Sequence, residues 1–231
     1  MKELLVAIRT LVYPLSCIMC NKPNYEICDS CKLMWLHSAK IFRISNCITS
    51  AGMPYDERVA KIVLSAKEDN AKAAKNCILL GLDAALIKLG QLQELPINTF
   101  LVSIPSSKAA NRSRGGDYLF TLSKDFLANR NLAIKKTLTL PKLPFLMQNS
   151  KVKDQSGLSA KERERNMDSA IYVNPRIIDM NIGSGISVLL MDDVITSGAT
   201  LKSAISALEA SKITVMGAIA ACASQYQMRI P

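Results

Sequence analysis

The stretch Val188-Leu189-Leu190-Met191-Asp192-Asp193-Val194-Ile195-Thr196-Ser197-Gly198-Ala199-Thr200-Leu201 decides the fold. The apolar run over residues 186–191 predicts a strand buried on both faces, as in a parallel sheet. Two adjacent acids stand at the carboxyl end of that run, where open α/β sheets hold their ligands. A loop of small and hydroxyl residues, 196–200, then enters an amphipathic segment at 201–208 that predicts a helix. A helix that starts after small residues offers unpaired N–H groups to an anion. Thr196, Ser197 and Thr200 add hydroxyls, while Gly198, followed by Ala199, lets the backbone approach a ligand closely. Carboxylates only accept hydrogen bonds, so Asp192 and Asp193 suit paired sugar hydroxyls. The implied ligand carries a phosphate at the loop and a polyol at the acids. An ordinary strand-to-helix turn with exposed acids is the plain alternative.

This order of strand, paired acids, hydroxyl/glycine loop and helix resembles the phosphoribosyl pyrophosphate (PRPP) signature of type I phosphoribosyltransferases. The resemblance implies that Asp192 and Asp193 bind the 2′ and 3′ hydroxyls of ribose. It also implies that Thr196, Ser197, Gly198, Ala199 and Thr200 bind the 5′-phosphate.

A chain of 231 residues, 49% apolar, is long enough for one full domain and a small appendage. Its net charge of +10 favours polyanionic partners and says nothing about fold. Of seven cysteines, four fall in two C-x2-C pairs, Cys17/Cys20 and Cys28/Cys31. Such pairs turn in tight knuckles that aim four sulfurs at one tetrahedral centre. That layout is a closed structural metal site in a reducing compartment and not a disulfide framework. Zinc is the expected ion, with an iron–sulfur cluster as the alternative. Cys47, Cys77 and Cys222 read as small core residues, and His37, the sole histidine, as a surface or packing residue.

No apolar run is long enough to span a bilayer. The apolar start, 1–16, is interrupted by Glu3 and Arg9 and lacks a small-residue cleavage site. The expected location is therefore cytoplasmic.

Helical spacing predicts helices over 1–13, 32–42, 56–66, 70–92 and 118–127. A further charged helix is expected at 158–167, with Ser159 and Glu162 in a capping box. Apolar runs predict strands at 46–50, 99–104, 137–140, 170–173 and 214–222, with turns at 52–55 and 183–185. The segment 106–117 reads as a basic loop at the carboxyl end of a strand, suited to a second anion, or else simply solvated. Residues 142–157 read as a further loop.

Taken together, the two C-x2-C pairs after a Tyr13-Pro14 turn, the pattern Gln155-x-x-Leu158-Ser159-x-x-Glu162-Arg163-x-x-Asn166, and Asp192-Asp193 resemble the competence protein ComF family. Lys67 and Arg114-Gly115 fall where that family carries a lysine and an Arg-Gly pair. The chain departs from the family at Gly116-Asp117-Tyr118, at Val152-Lys153-Asp154 and at Ser197. The first two departures touch loops that would face an acceptor.

The resemblance implies an α/β, parallel-sheet, phosphoribosyltransferase-like domain over 48–231, preceded by an N-terminal helix and zinc knuckle over 1–47. It implies a role in natural transformation: uptake of single-stranded DNA into the cytoplasm, with competence or recombination proteins as partners. As an enzyme, the chain would bind Mg²⁺-PRPP and use Asp192 and Asp193 catalytically to stabilise an oxocarbenium-like ribose. Lys67, Lys108 and Arg114 would neutralise pyrophosphate. As a non-catalytic protein, it would bind single-stranded DNA and keep the PRPP pocket as a sensor. Residues 135–165 hold eight lysines and arginines against three acids, half of the chain's excess charge. Only Phe145 among them is aromatic, so base-stacking platforms are scarce.

Overall fold

The side chains at 188–191 carry no group that water would solvate well, so the run is stable only where both faces of a sheet are covered. All four are fully buried in the computed structural model, which describes residues 16–106, 108–128, 132–148, 171–179 and 185–229. In chain order the elements are α1 (Asp29–His37), β1 (Lys40–Ile44), β2 (Cys47–Tyr55), α2 (Glu57–Glu68), α3 (Lys72–Gly90) and β3 (Thr99–Ser103). Next come α4 (Lys108–Ser113), α5 (Tyr118–Ala128), α6 (Leu132–Thr137), β4 (Leu138–Thr139), β5 (Leu146–Gln148), β6 (Ile171–Val173) and α7 (Pro175–Asp179). The chain closes with β7 (Ser187–Ile195), α8 (Ala199–Ala210), β8 (Thr214–Ser224) and a single 3-10 turn, Gln227–Arg229.

Six strands form one sheet in the order β1-β2-β8-β7-β3-β4, parallel except for the β1–β2 hairpin at its edge. The protein is thus an α/β fold on a mostly parallel sheet, with a four-cysteine segment before it. From β2 through β3 to β4 the chain steps outward in one direction. From β7 to β8 it steps back in the other. Right-handed crossovers therefore place α2, α3 and α5 over one face and α8 over the opposite one. The connections leaving β3 and β7, which are neighbours, diverge at their carboxyl ends. That divergence opens a crevice where a ligand binds in sheets of this type. Ser103 pairs with Met191, so the end of β3 stands beside Asp192.

Small residues let the helical layer approach β8. A Cβ added to Gly81 of α3 would sit 2.7 Å from the Ala221 carbonyl oxygen and 2.8 Å from Trp35 Cε3, and Gly52 of β2 abuts the Gly81 backbone. Trp35, on the helix that leaves the cysteine segment, is thereby buried against α3. This contact fastens that segment to the core of the sheet.

Four local expectations change. The helix expected at 32–42 stops at His37, because Phe42 and Ile44 alternate inward as strand residues of β1. The turn expected at 52–55 continues β2. Pro54 lies beyond the last β1 partner, Lys40↔Ala51, and stays in register with Ala223 of β8. Within 106–117, Lys108–Ser113 forms a short helix, to which Ala109 and Ala110 contribute strong propensity. Inside 142–157, Leu146–Gln148 pairs with Ile171–Val173 as a small antiparallel sheet. The helices expected at 1–13 and 158–167, the pattern from Gln155 to Asn166, and Gly183-Ser184 lie outside the described residues. Among the described residues no helix is long and apolar enough to cross a membrane.

Gly81→Ala is expected to lower unfolding free energy by about 1–3 kcal/mol, through overpacking against backbone that cannot move. A urea melt of the variant beside wild type checks this, and an unchanged midpoint would contradict the close approach.

Candidate functional site

Asp192 and Asp193 are the sixth and seventh residues of β7, and the strand runs on to Ile195. Successive strand residues face opposite ways, so the two carboxylates leave the sheet on different sides. Asp193 is buried and its Oδ2 lies 2.6 Å from Lys67 Nζ, on the last turn of α2. The Asp193 N–H donates to Asp192 Oδ1 at 2.8 Å. Burial, reinforced by the neighbouring Asp193 carboxylate, pushes the Asp192 carboxyl well above the usual carboxylate range. Two acids share one lysine here, so the pair needs a further cation or several hydroxyl donors to hold both charges.

The loop that follows is held from behind. Ser224 Oγ donates to the Thr196 carbonyl at 2.8 Å, and Gln227 Nε2 donates to the Ser197 carbonyl at 2.9 Å. Gly198 adopts φ +77°, and a Cβ there would meet Ile44 Cδ1 at 2.8 Å, so glycine is required both by the left-handed backbone and by space. Ser197 Oγ accepts from the Ala199 N–H at 3.4 Å, and the first intrahelical bond of α8 runs from Lys202 N to the Gly198 carbonyl at 2.9 Å. The N–H groups of Thr200 and Leu201 therefore have no acceptor within the helix. Thr196 and Ser197 are exposed.

Beside the Lys67–Asp193 pair lies a cavity of about 350 Å³, whose lining includes Lys67, Lys75, Arg114, Gly115, Asp117 and Tyr118. Neither acid of β7 nor the 196–200 loop lines it, so Lys67 is the link between the two. Arg114 gives both Nε and Nη2 to Glu68 Oε1, at 2.9 and 2.7 Å. Lys108 opens α4, which follows the carboxyl end of β3. The structure thus brings Lys67 onto Asp193 and Arg114 onto the same cavity wall, while Arg114 itself is engaged with Glu68.

Four further residues take part that sequence patterns alone do not assign to the site: Tyr118, Cys222, Ser224 and Gln227. Tyr118 places its ring 6.0 Å from Lys67 Nζ, and its hydroxyl is buried with no hydrogen-bond partner among the described residues. Burial, and then the Asp193 carboxylate, raise its pKa above the usual phenol range. Cys222 Sγ donates to the Asp193 carbonyl at 3.3 Å. Ser224 and Gln227 support the loop. None of these lies in a recognisable pattern, because each acts through a strand pairing or a turn that brings it to β7 from afar.

The four knuckle cysteines converge, with their sulfurs all within 4.8 Å of one another and Cys20 Sγ 3.6 Å from Cys28 Sγ. A tetrahedral zinc with Zn–S near 2.3 Å separates its sulfurs by about 3.8 Å, so the donor set and spacing fit one such ion. Positive φ at Asn21 and Asn24 turns the first knuckle, whose Asn21 N–H donates to the Cys17 carbonyl at 2.7 Å. Burial opposes ionisation of Cys17, but backbone N–H groups, led by that of Cys28, bring it down to about 6. Burial and the neighbouring thiols push Cys31 up. Four crowded sulfurs thus cannot all ionise unless a cation lies between them. Exposed His37 is outside this set. Cys47, Cys77 and Cys222 are buried in the core, and burial raises Cys47 to about 11 and Cys77 to about 12.

No family model and no curated protein matches this chain. Among solved structures it is similar to an adenine phosphoribosyltransferase at 11% identity, over 85% of this chain and 91% of that one, with a TM-score of 0.38. It is also similar to the adenine phosphoribosyltransferase of Leishmania donovani at 14% identity, over 68% of this chain and 55% of that one, with a TM-score of 0.34. At those scores the likeness is one of loose backbone course and carries no weight in the functional reading. Fold and site define an α/β protein with two acids and a hydroxyl loop at a sheet crevice, and with a convergent four-cysteine cluster at its amino-terminal side.

The raised Asp192 carboxyl favours protonation in the folded state. Its drag on stability is therefore absent below the unfolded value and grows as pH rises toward the folded one. Asp192→Asn is expected to melt at higher temperature than wild type at pH 8, with the advantage fading as pH falls to about 4. Thermal scans across that range test it, and a constant difference would refute the assignment. Stripping metal with a strong chelator is expected to lower the melting temperature and red-shift the emission of Trp35, the only tryptophan. Metal analysis should find one zinc per chain beforehand.

Proposed function

We propose that this chain binds PRPP with Mg²⁺ and transfers ribose 5-phosphate from pyrophosphate to an acceptor. The carrying observation is the conjunction, at one crevice, of the Asp192–Asp193 pair and a loop with left-handed Gly198 leading into the start of α8. In this reading the loop residues Thr196, Ser197, Gly198, Ala199 and Thr200 hold the 5′-phosphate through N–H and hydroxyl donors. Asp192 and Asp193 accept the ribose hydroxyls and face the positive charge that develops at the sugar. Lys67 turns from Asp193 toward the departing pyrophosphate, for which Arg114, Lys108 and the adjoining cavity supply further positive charge. The hard oxygens of the acid pair suit Mg²⁺, which when bound would neutralise pyrophosphate oxygens while keeping several waters. Zinc at Cys17, Cys20, Cys28 and Cys31 would be structural.

The resemblance to the ComF family extends the proposal to a cytoplasmic role in natural transformation, with single-stranded DNA and competence or recombination proteins as partners. Exposed Lys135, Lys136 and Lys142 belong to the basic stretch that would meet a phosphate backbone. A mobility shift with single-stranded DNA should weaken steeply between low and moderate salt. A salt-insensitive or absent shift argues against this part. Lys67 and Arg114 are already engaged with Asp193 and Glu68, which favours a second reading, a PRPP sensor that does not turn over.

Calorimetry with PRPP and Mg²⁺ tests the site. Asp193→Ala removes a charged acceptor and should weaken binding by roughly 10- to 100-fold. Equal affinities for variant and wild type would sink the assignment. Pyrophosphate release with a panel of acceptors then separates transferase from sensor.

A further inference from the structure

The trans peptide plane fixes the carbonyl of one residue antiparallel to the N–H of the next. Whatever holds the Thr196 carbonyl therefore aims the Ser197 N–H, and whatever holds the Ser197 carbonyl aims the Gly198 N–H. Ser224 Oγ takes the first carbonyl at 2.8 Å and Gln227 Nε2 takes the second at 2.9 Å. The two holders are themselves tied together, because the Gln227 N–H donates to Ser224 Oγ at 3.4 Å. Gln227 is 9% exposed, and Met228 beside it is buried, so the turn that carries the amide is packed in place. Ile44 of β1 closes the space under Gly198. Two consecutive N–H groups are thus directed away from the protein body, the second of them on a left-handed residue. This is the arrangement of an anion-binding nest.

We infer that Ser224 and Gln227 are positioning residues for the anion loop, aligning the Ser197 and Gly198 N–H groups on the phosphate of the sugar. The inference rests on the PRPP reading for the identity of the anion. Neither residue touches the ligand; each acts through a carbonyl on the far side of the peptide. A single neutral hydrogen bond of this kind is worth about a five- to tenfold change when its loss is felt at the ligand. Pyrophosphate, which would lie toward Lys67 and Arg114, does not use these two N–H groups.

The test uses the full chain as Gln227→Ala, Ser224→Ala and Ser224→Thr. Affinities for ribose 5-phosphate and for pyrophosphate are measured by calorimetry, and amide hydrogen exchange is followed at Ser197, Gly198 and Ala199. Both alanine variants are expected to bind ribose 5-phosphate five- to tenfold more weakly, with pyrophosphate affinity unchanged and faster exchange confined to the loop. Ser224→Thr, which keeps the hydroxyl, should behave as wild type. Unchanged ribose 5-phosphate affinity in both alanine variants overturns the inference. So does an equal loss for pyrophosphate, which would mark general loosening of the fold. Should wild type bind no ribose 5-phosphate, the PRPP reading fails. The clamp is then judged by exchange alone: faster loop exchange in both alanine variants upholds it, and unaltered exchange ends it.

Discussion

Two carboxylates at the end of a buried strand must be compensated, and the contact that compensates them is Lys67 Nζ to Asp193 Oδ2 at 2.6 Å. The strand can carry these acids because the residues before them, Val188 to Met191, are fully buried. Each such side chain contributes roughly 1.5–3 kcal/mol, which offsets the strain of placing like charges side by side. Lys67 reaches Asp193 only because α2 follows β2 directly, with Asp56 capping its first turn through the Arg58 and Val59 N–H groups. The ion pair therefore ties the first helix of the α2–α3 layer to the central strand. It leaves Asp192 under-compensated, with its carboxyl raised by burial and by the Asp193 charge.

The loop after the acids depends on elements from both ends of the described chain. Ile44 comes from the β1–β2 hairpin, and Ser224 and Gln227 from the far end of β8 and the turn beyond it. Parallel pairing of β7 with β8 brings the two carboxyl ends together, Ile195 opposite Ala223. An antiparallel arrangement would have placed that support at the other edge of the sheet.

The cysteine segment is joined to the same frame by packing. Trp35 is buried against Gly81, and Gly81 lies on Gly52 and the Ala221 carbonyl. Metal at the four sulfurs would fix the start of α1, where Cys28 holds the position before the first turn and Cys31 lies within it. Order in the knuckle thereby reaches the sheet through Trp35 and through Met19 and Ile27, which share its core. The knuckle sulfurs line neither the cavity beside Lys67 nor the 196–200 loop.

The β7–loop–α8 unit, the convergence of Cys17, Cys20, Cys28 and Cys31, and most helices and strands are legible along the chain. These are local: an apolar run, a spacing of two residues between cysteines, or a 3.6-residue period each fixes its own geometry. Strand β1 was hidden because five residues of alternation are too few to compete with the helical pattern beside them. The end of β2 was hidden because Gly52 and Pro54 are turn residues, whereas pairing with β8 carries the strand on to Tyr55. That Lys67 meets Asp193, that Arg114 turns to Glu68, that Tyr118 borders the cavity, and that Ser224 and Gln227 stand behind the loop follow from the folded chain alone. Those contacts join residues distant in the chain. They exist because strand order and parallel register bring the carboxyl ends of β2, β3, β7 and β8 to one edge, which no local pattern encodes.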